Sequence, residues 1–416
     1  MDRLIDENIP RMELLAVMSI NNKINAAFIN CTNEPYNRSR HLIDCDFSTL
    51  GWAAPFYPDN SVPEHVLQAT VKGLHEHGSS YLLPEGDFKL REAISSRLKR
   101  YNHIDIDPLK EILVTPGSNA GLYYAVKPFI TPGANDEVLI PDPSYAGNFV
   151  IVRLNGGIPI SVPLHASDGF KLDTEAFEKR ITEKTKVIIL SYPNNPTTTV
   201  YSRESILALC RLCVEKDLIM VVDHSFEDVI FDNRELLTIA SVEGMWERTV
   251  TIFSLSKGFG LSGYRIGYMV ACQELMSIYH RFAVNILGPV NTAASYGAIA
   301  ALNDYSFVES YKKIFEKRRE IAFRIIGEIP GVSCLFPESG YMLWVNISRL
   351  GTSDEIVKYL IEDARVIVNP GTEYGPNGEG YIRIIYGVFK DDYKIYAVLE
   401  RVKESLKKLS LKKGIK

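Results

Sequence analysis

The stretch FSLSKGFGLSGYRIGYMV, residues 253–270, admits three readings, and the choice among them decides the fold. Gly258, Gly260 and Gly263 spell the G-x-G-x-x-G of a dinucleotide site, while Ser254 to Lys257 spell the S-x-x-K of a serine acylase. A third reading gives the central roles to Lys257 and Arg265. A dinucleotide fingerprint needs a strand before its glycines, a helix after them and an acid about twenty residues on. Here the glycines run into YRIGYMVA, which alternates like another strand, and the next aspartate is Asp304. A serine acylase of this type also carries S-D-N and K-T-G, and neither occurs in the chain. The third reading remains.

Working outward, strand candidates precede and follow this segment. EILVTPG, DEVLIPDP, IPISVPL, KVIILSYP, LIMVVDHS and RTVTIFSLS are short apolar runs closed by Pro, Gly, Ser or Asp. Between them lie amphipathic stretches such as PEHVLQATVKGLHEHG, FKLREAISSRLKRY and SRESILALCRLCVEKD. Apolar strands alternating with helices predict a mostly parallel sheet covered on both faces, with ligands beyond the carboxyl ends of the strands. After about residue 300 the pattern changes to a long charged helix, YKKIFEKRREIAFRIIGEI. The runs GVSCLF, GYMLWVNI, RVIVNPG and GYIRIIYG follow, then a last helix, DDYKIYAVLERVKESLKKL. We expect a large α/β domain over residues 50–300, and a smaller α+β domain built from 1–49 and 301–416.

Composition narrows the function classes. The 416 residues carry a formal net charge of −5, which argues against general binding to nucleic acid or anionic membranes. The lysines of the tail RVKESLKKLSLKKGIK read as the end of a solvated helix. No run approaches the ~18 consecutive apolar residues of a membrane span, and MDRLIDENIPRMELL is too charged for a signal peptide, so a cytoplasmic location is expected. Of six cysteines only Cys210 and Cys213 form a C-x-x-C, and it sits within a helical apolar pattern with no second pair at metal-ligand distance. Two core-facing thiols, and no metal, are expected.

The strand ends carry the chemistry. GSNAGLYYA opens a helix whose first N–H groups, with the Ser118 hydroxyl and Asn119 amide, make a phosphate cradle. Asn195 follows KVIILSYP, and Asp223 ends LIMVVD as an acid on an apolar strand, costly unless it meets a cation or a strong donor. Ser254, Ser256 and Lys257 end the next strand, with Arg265 one loop further on. Cradle, lone carboxylate, strand-end lysine and second cation converge on pyridoxal 5'-phosphate.

At these residues the chain resembles the class I/II aminotransferases, the aspartate-aminotransferase-like group of fold-type-I pyridoxal-phosphate enzymes. The matching pieces are Y-x-x-P-E-G-x-x-x-L-R from Tyr81, TPGSNAGL from Thr115, P-S-Y at 143–145 and N-N-P-T at 194–197. Asp223, S-x-S-K-x-x-G-x-x-G-x-R-x-G from Ser254, and V-x-P-G followed by Y-I-R ending at Arg383 complete the series, over roughly residues 45 to 390. The resemblance implies a seven-stranded, mostly parallel sheet between helices, with a smaller α+β domain. It implies a Schiff base at Lys257, Asp223 on the pyridinium nitrogen, Asn195 on the 3'-oxygen and Tyr145 stacked on the ring. Ser118, Asn119, Ser254 and Arg265 would hold the phosphate. Arg383, with Asn195 and Gly51, would hold the substrate carboxylate. Tyr81 would reach the neighbouring phosphate of a homodimer. The implied reaction moves an amino group from an α-amino acid to a 2-oxo acid.

Two positions depart from the pattern. Phe226 stands where the family usually has a tyrosine donating to the 3'-oxygen, and Thr198 replaces the usual glycine after N-P-T. Phenylalanine at this place is similar to pyridoxal-phosphate arginine oxidases and hydroxylases and to capreomycidine-type cyclases, to whose N-terminal helix Glu13-Leu14-Leu15-Ala16 is a faint match. An oxidase or cyclase acting on a cationic amino acid is therefore the alternative. Against it, Ser254 stands where the oxidases carry an acid, and their N-terminal histidine has no clear counterpart. The roughly forty residues before the first lobe are too few and too little basic for the DNA-binding segment of a regulator.

Overall fold

The computed structural model describes residues 47–415. Its thirteen strands are β1 (Ser48–Thr49), β2 (Ile112–Thr115), β3 (Glu137–Asp142), β4 (Ile158–Pro163), β5 (Thr185–Ser191), β6 (Ile219–Asp223), β7 (Thr249–Ser254), β8 (Gly267–Val270), β9 (Ser333–Cys334), β10 (Met342–Asn346), β11 (Val366–Ile367), β12 (Asn369–Pro370) and β13 (Tyr381–Ile385). Seven form one sheet in the order β2-β8-β7-β6-β5-β3-β4. The pairs β3–β4, β3–β5, β5–β6 and β6–β7 are parallel, and only β8 runs against its neighbours β2 and β7. The six apolar runs from EILVTPG to RTVTIFSLS supply β2 to β7, and YRIGYMVA contributes β8. Because β8 is antiparallel, its first residue, Gly267, lies beside both Thr115 and Ser254, the last residues of β2 and β7. The chain thus delivers Arg265 to the edge where the parallel strands end.

Burial explains why these runs hold together. Val187, Ile188, Leu190, Val221, Val222, Val250 and Ile252 are fully buried, each side chain contributing about 1.5–3 kcal/mol on leaving water. The covering helices include α1 (Glu64–His77), α2 (Phe88–Arg97), α3 (Ser118–Val126), α4 (Ala146–Leu154), α5 (Arg203–Glu215) and α6 (Thr292–Asn303). On α5 the buried face is Ile206, Leu209, Cys210, Leu212 and Cys213, so both thiols of the C-x-x-C pack into the core. Asp87, Ser202 and Asn291 cap α2, α5 and α6 through their side chains. The start of α3 differs: Gly117 precedes it, with no side-chain cap.

A second antiparallel sheet, β12-β13-β10-β9, packs with α7 (Ser306–Gly327) and α8 (Asp392–Lys412). Leu343, Val345, Ile382 and Ile384 meet Phe315, Ala322 and Ile325 of α7 and Ile395, Leu399 and Val402 of α8 in one core cluster. The run RVIVNPG is not one strand. Val366–Ile367 pairs in parallel with Ser48–Thr49, and Asn369–Pro370 turns to pair with β13. Pro370 has no N–H to extend a ladder, which suits it to this two-residue edge strand. The stretch SFEDVIF after Asp223 begins as a turn, and Phe226, Val229 and Phe231 from it enter the small-sheet core. The expected packing of MELLAVMSINNKINAAF and the run Glu13-Leu14-Leu15-Ala16 lie outside the described residues. Among the described residues no helix is long and apolar enough to cross a membrane.

Candidate active site

A cavity of about 310 Å³ opens at the carboxyl ends of the parallel strands. Ser118, Asn119, Tyr145, Asn195, Asp223, Lys257, Arg265, Arg383 and Gly51 all line it, so nine of the residues read from the sequence converge there. Two do not. Ser254 is buried and does not line the cavity, its Oγ accepting from the Ser256 N–H at 3.2 Å. Tyr81 is 94% exposed on the outer surface.

At one end the first turn of α3 faces Arg265. Gly117 has φ +82°, and a Cβ there would lie 2.4 Å from an Arg265 terminal nitrogen. Only glycine permits both that backbone conformation and that approach. Arg265 is itself left-handed at φ +55° and donates to the Ser262 carbonyl at 3.1 Å. An uncapped helix start and a guanidinium thus concentrate positive potential at one spot, which suits a phosphate. Ser256 and Ser262, which also line the cavity, were not singled out for this end; both lie inside the S-x-S-K-x-x-G-x-x-G motif.

Asp223 closes β6 with its carboxylate buried. Its Oδ1 accepts from the Ser225 N–H at 3.0 Å and from the Ser225 hydroxyl. Burial pushes the carboxyl pKa up, while the Ser225 donors and the Lys257 charge pull it back. Lys257 donates from Nζ to the Ala53 carbonyl at 2.7 Å. Burial, then Arg383 and Arg265, lower its pKa to about 8 against the opposing pull of Asp223. An amine so tuned gives up its proton far more readily than an ordinary lysine.

Tyr145 donates to Asn119 Oδ1 at 3.0 Å, tying the aromatic wall to the start of α3. On the small-sheet side Arg383, on β13, donates to Asn195 Oδ1 at 3.0 Å, to the Gly51 carbonyl at 2.9 Å and to Asn369 Oδ1 at 2.9 Å. Its Nε has no hydrogen-bond partner among the described residues, and its guanidinium lies 5.0 Å from the Tyr374 ring centroid. Asn369, Glu373 and Tyr374 complete this wall; Asn369 sits inside V-x-P-G, and the other two follow it. Phe226 lines the cavity as a bare ring, 5.9 Å from Lys257 Nζ. Thr198 adopts φ +66°, a conformation glycine takes without strain.

These residues fit pyridoxal phosphate: the glycine-lined cradle at α3 and Arg265 for its phosphate, buried Asp223 for its ring nitrogen, and an amine poised near neutrality for its aldehyde. Comparison with known proteins agrees. The family model for aminotransferase class I and II matches residues 49–399. The aspartate aminotransferase of Pyrococcus abyssi is 34% identical over 363 residues, spanning 85% of this chain and 91% of that protein. The aromatic-amino-acid aminotransferase 2 of Thermococcus litoralis is 32% identical over 359 residues, with the same two shares, 85% and 91%. The aromatic aminotransferase structure from Pyrococcus horikoshii superposes with a TM-score of 0.82 at 31% identity, covering 90% of this chain and 98% of that one. With strand order, cavity and sequence in agreement, the chain belongs to the class I and II aminotransferases and is a pyridoxal-phosphate enzyme of fold type I.

Proposed function

We propose that Lys257, Asp223, Asn195 and Arg383 divide between them the transfer of an amino group from an α-amino acid to a 2-oxo acid. Bound pyridoxal phosphate supplies an electron sink for the carbanion left when Cα loses its proton. Lys257 would hold the cofactor aldehyde, and its Nζ is the base that would take and return that proton. Asp223 keeps the ring nitrogen protonated, a charge-assisted pairing of about 1.5–3 kcal/mol. Asn195 donates to the 3'-oxygen, and Tyr145 covers the ring face. Ser118, Asn119 and Arg265 hold the phosphate. Ser254 acts one step back, by fixing the Ser256 backbone beside the lysine. Arg383 exchanges its Gly51 and Asn369 contacts for the substrate carboxylate, whose two oxygens match its fork.

For the side chain, aromatic substrates fit better than acidic ones. Among the described residues each cation lining the cavity already has a partner in this scheme, and the remaining walls offer Trp52, Phe226 and Tyr374 beside the Glu373 carboxylate. The enzyme acts as a homodimer. Leu67, Val71 and Leu74 form an exposed stripe at helical spacing on α1, and the exposed Tyr81 would meet a neighbour's phosphate. The free thiols Cys210, Cys213, Cys272 and Cys334 agree with work in the reducing cytoplasm.

The convergence of Lys257 and Asp223 on the cavity that also holds Arg383 carries this reading. Lys257→Ala is expected to lose both the visible absorbance of covalently held cofactor and amino transfer to a 2-oxo acid. Retained colour would refute the assignment. Measuring oxygen uptake in parallel, over phenylalanine, tyrosine, aspartate and arginine, separates transamination from oxidation and ranks the side chains.

A further inference from the structure

One backbone atom beside the cavity is shared by two side chains from distant parts of the chain. The Ala53 carbonyl accepts Lys257 Nζ at 2.7 Å and the Tyr341 hydroxyl at 2.9 Å. We propose that Tyr341, acting through the Ala53 carbonyl, is a positioning residue that sets the resting place and the basicity of the free Lys257 amine. The inference rests on the reading of Lys257 given above.

The Tyr341 ring has no freedom to move its hydroxyl elsewhere. It is fully buried, 4.7 Å from the Phe315 ring and 5.6 Å, edge-on, from Phe226. Gly387 presses on it from behind, where a Cβ would lie 2.4 Å from the ring. A carbonyl only accepts, so the Tyr341 proton points at the Ala53 oxygen. Burial pushes the phenol pKa well up, so that proton stays in place across the working pH range.

Two donors on one oxygen weaken each other, because each places a positive hydrogen near the other. An ammonium at Lys257 therefore gains less from Ala53 than it would from an unshared carbonyl. The neutral amine, which depends less on that bond, is favoured. Arg383 from β13, Arg265 from the loop after β7 and Asp223 at the end of β6 face the same amine, and none of them touches the Tyr341 hydroxyl through a hydrogen bond. Phe226, 5.6 Å from the Tyr341 ring and 5.9 Å from the amine, offers a ring and no hydroxyl. Among the described residues Tyr341 is thus the phenol that shares a hydrogen-bond acceptor with Lys257.

The test uses the full-length chain freed of cofactor. Pyridoxal phosphate is added over a range of pH, and the rate of covalent attachment is followed by absorbance, since attachment needs the neutral amine. In Tyr341→Phe the pH midpoint of that rate is expected to rise by about half to one unit, the effect of one hydrogen bond. Below the midpoint, attachment slows roughly three- to tenfold. Gly387→Ala, which drives the ring off its seat, is expected to shift the midpoint the same way. A midpoint at or below the wild-type value in a variant whose melting temperature matches wild type overturns the proposal. A merely structural role for Tyr341 would move melting and leave the midpoint alone. Attachment that persists in Lys257→Ala fails the Lys257 assignment itself and is distinguishable from failure of the Tyr341 inference.

Discussion

Gly258, the residue after Lys257, lies so close to Asp228 that a Cβ on it would come 2.2 Å from the Asp228 Cβ. Asp228 is fixed in turn by the buried Arg97 guanidinium, which also donates to Glu227 at 3.2 Å. The rings of Tyr101, Phe259 and Tyr305 surround that guanidinium at 4.5, 5.2 and 5.3 Å. The loop that bears the lysine is thereby cemented to the turn that follows Asp223. Gly258→Ala is expected to destabilise the fold by about 1–3 kcal/mol through overpacking. It is also expected to lower covalent cofactor content, because the displaced backbone carries Lys257 with it. Thermal melting together with absorbance per protomer checks both, and full cofactor content would show that the loop accommodates the methyl without moving the lysine.

That contact also shows which parts of the sequence were legible. Gly258 and Gly260 spell a nucleotide fingerprint, yet one is required by packing against Asp228 and the other by φ +67°. Strands β2, β3, β5, β6 and β7 could be read because strands buried on both faces are apolar runs with turn residues at their ends, whereas the half-exposed β4 and the antiparallel β8 show instead as shorter apolar or alternating stretches. Lys257, Asp223, Asn195 and Arg265 could be read because side chains at strand ends follow fixed spacings. Ala53 could not, since it contributes a carbonyl and any residue but proline or glycine would look alike there. Tyr341 reads as a strand aromatic, and only the tertiary fold, with Gly387 behind it, aims its hydroxyl. The motif locates Ser254, but whether its Oγ faces the cavity or the Ser256 backbone depends on a side-chain rotation that spacing does not encode.

Glu227 and Asp228 share one guanidinium, leaving an excess negative charge in the core. Burial pushes both carboxyl pKa values up, and Arg97 pulls both back. A folded pKa above the unfolded one means the folded state binds more protons, so stability falls as pH rises from the ordinary glutamate range toward neutrality. Asn102 Nδ2 donates to Glu227 Oε2 at 2.7 Å while its Oδ1 lacks a partner among the described residues. In Glu227→Gln the new amide can donate to a turned-over Asn102 and satisfy that oxygen. The variant is expected to gain about 1 kcal/mol at neutral pH and above. Melting curves measured across pH should flatten for Glu227→Gln; an unchanged slope would mean that Asp228 carries the titration.

Thr198 is a buried, β-branched residue at φ +66°. Its N–H donates to the Asn194 carbonyl at 3.0 Å, and its own carbonyl accepts from the Ser339 hydroxyl at 2.7 Å, which together hold the conformation. A left-handed non-glycine residue costs about 1–2 kcal/mol. Glycine returns up to about 1 kcal/mol of that as unfolded-state entropy. Thr198→Gly is therefore expected to melt a degree or two higher, at roughly 2–4 °C per kcal/mol for a large domain. A lower melting point would show that the threonine side chain contributes more by packing than its backbone costs.

Lys257 supplies a pH signature of its own. Its folded pKa, lowered to about 8, lies below that of an unfolded lysine. In cofactor-free protein below about pH 8 the ammonium is charged in both states, and the folded state bears the full cost of burying it beside Arg383 and Arg265. That balance already includes the attraction of Asp223. As pH rises from 8 toward the ordinary lysine value the folded chain has lost its proton and the unfolded chain has not, so the cost shrinks. Replacing the amine with an apolar side chain of similar length removes the cost at every pH. Cofactor-free Lys257→Met is expected to be more stable than wild type by on the order of 1–3 kcal/mol at pH 7. The advantage should fade between about pH 8 and 10.5, the window bounded by the folded and ordinary values. Denaturant unfolding of the two proteins at pH 7 and pH 10 measures it, and a difference that is the same at both would mean that Lys257 titrates at its ordinary value in the folded chain.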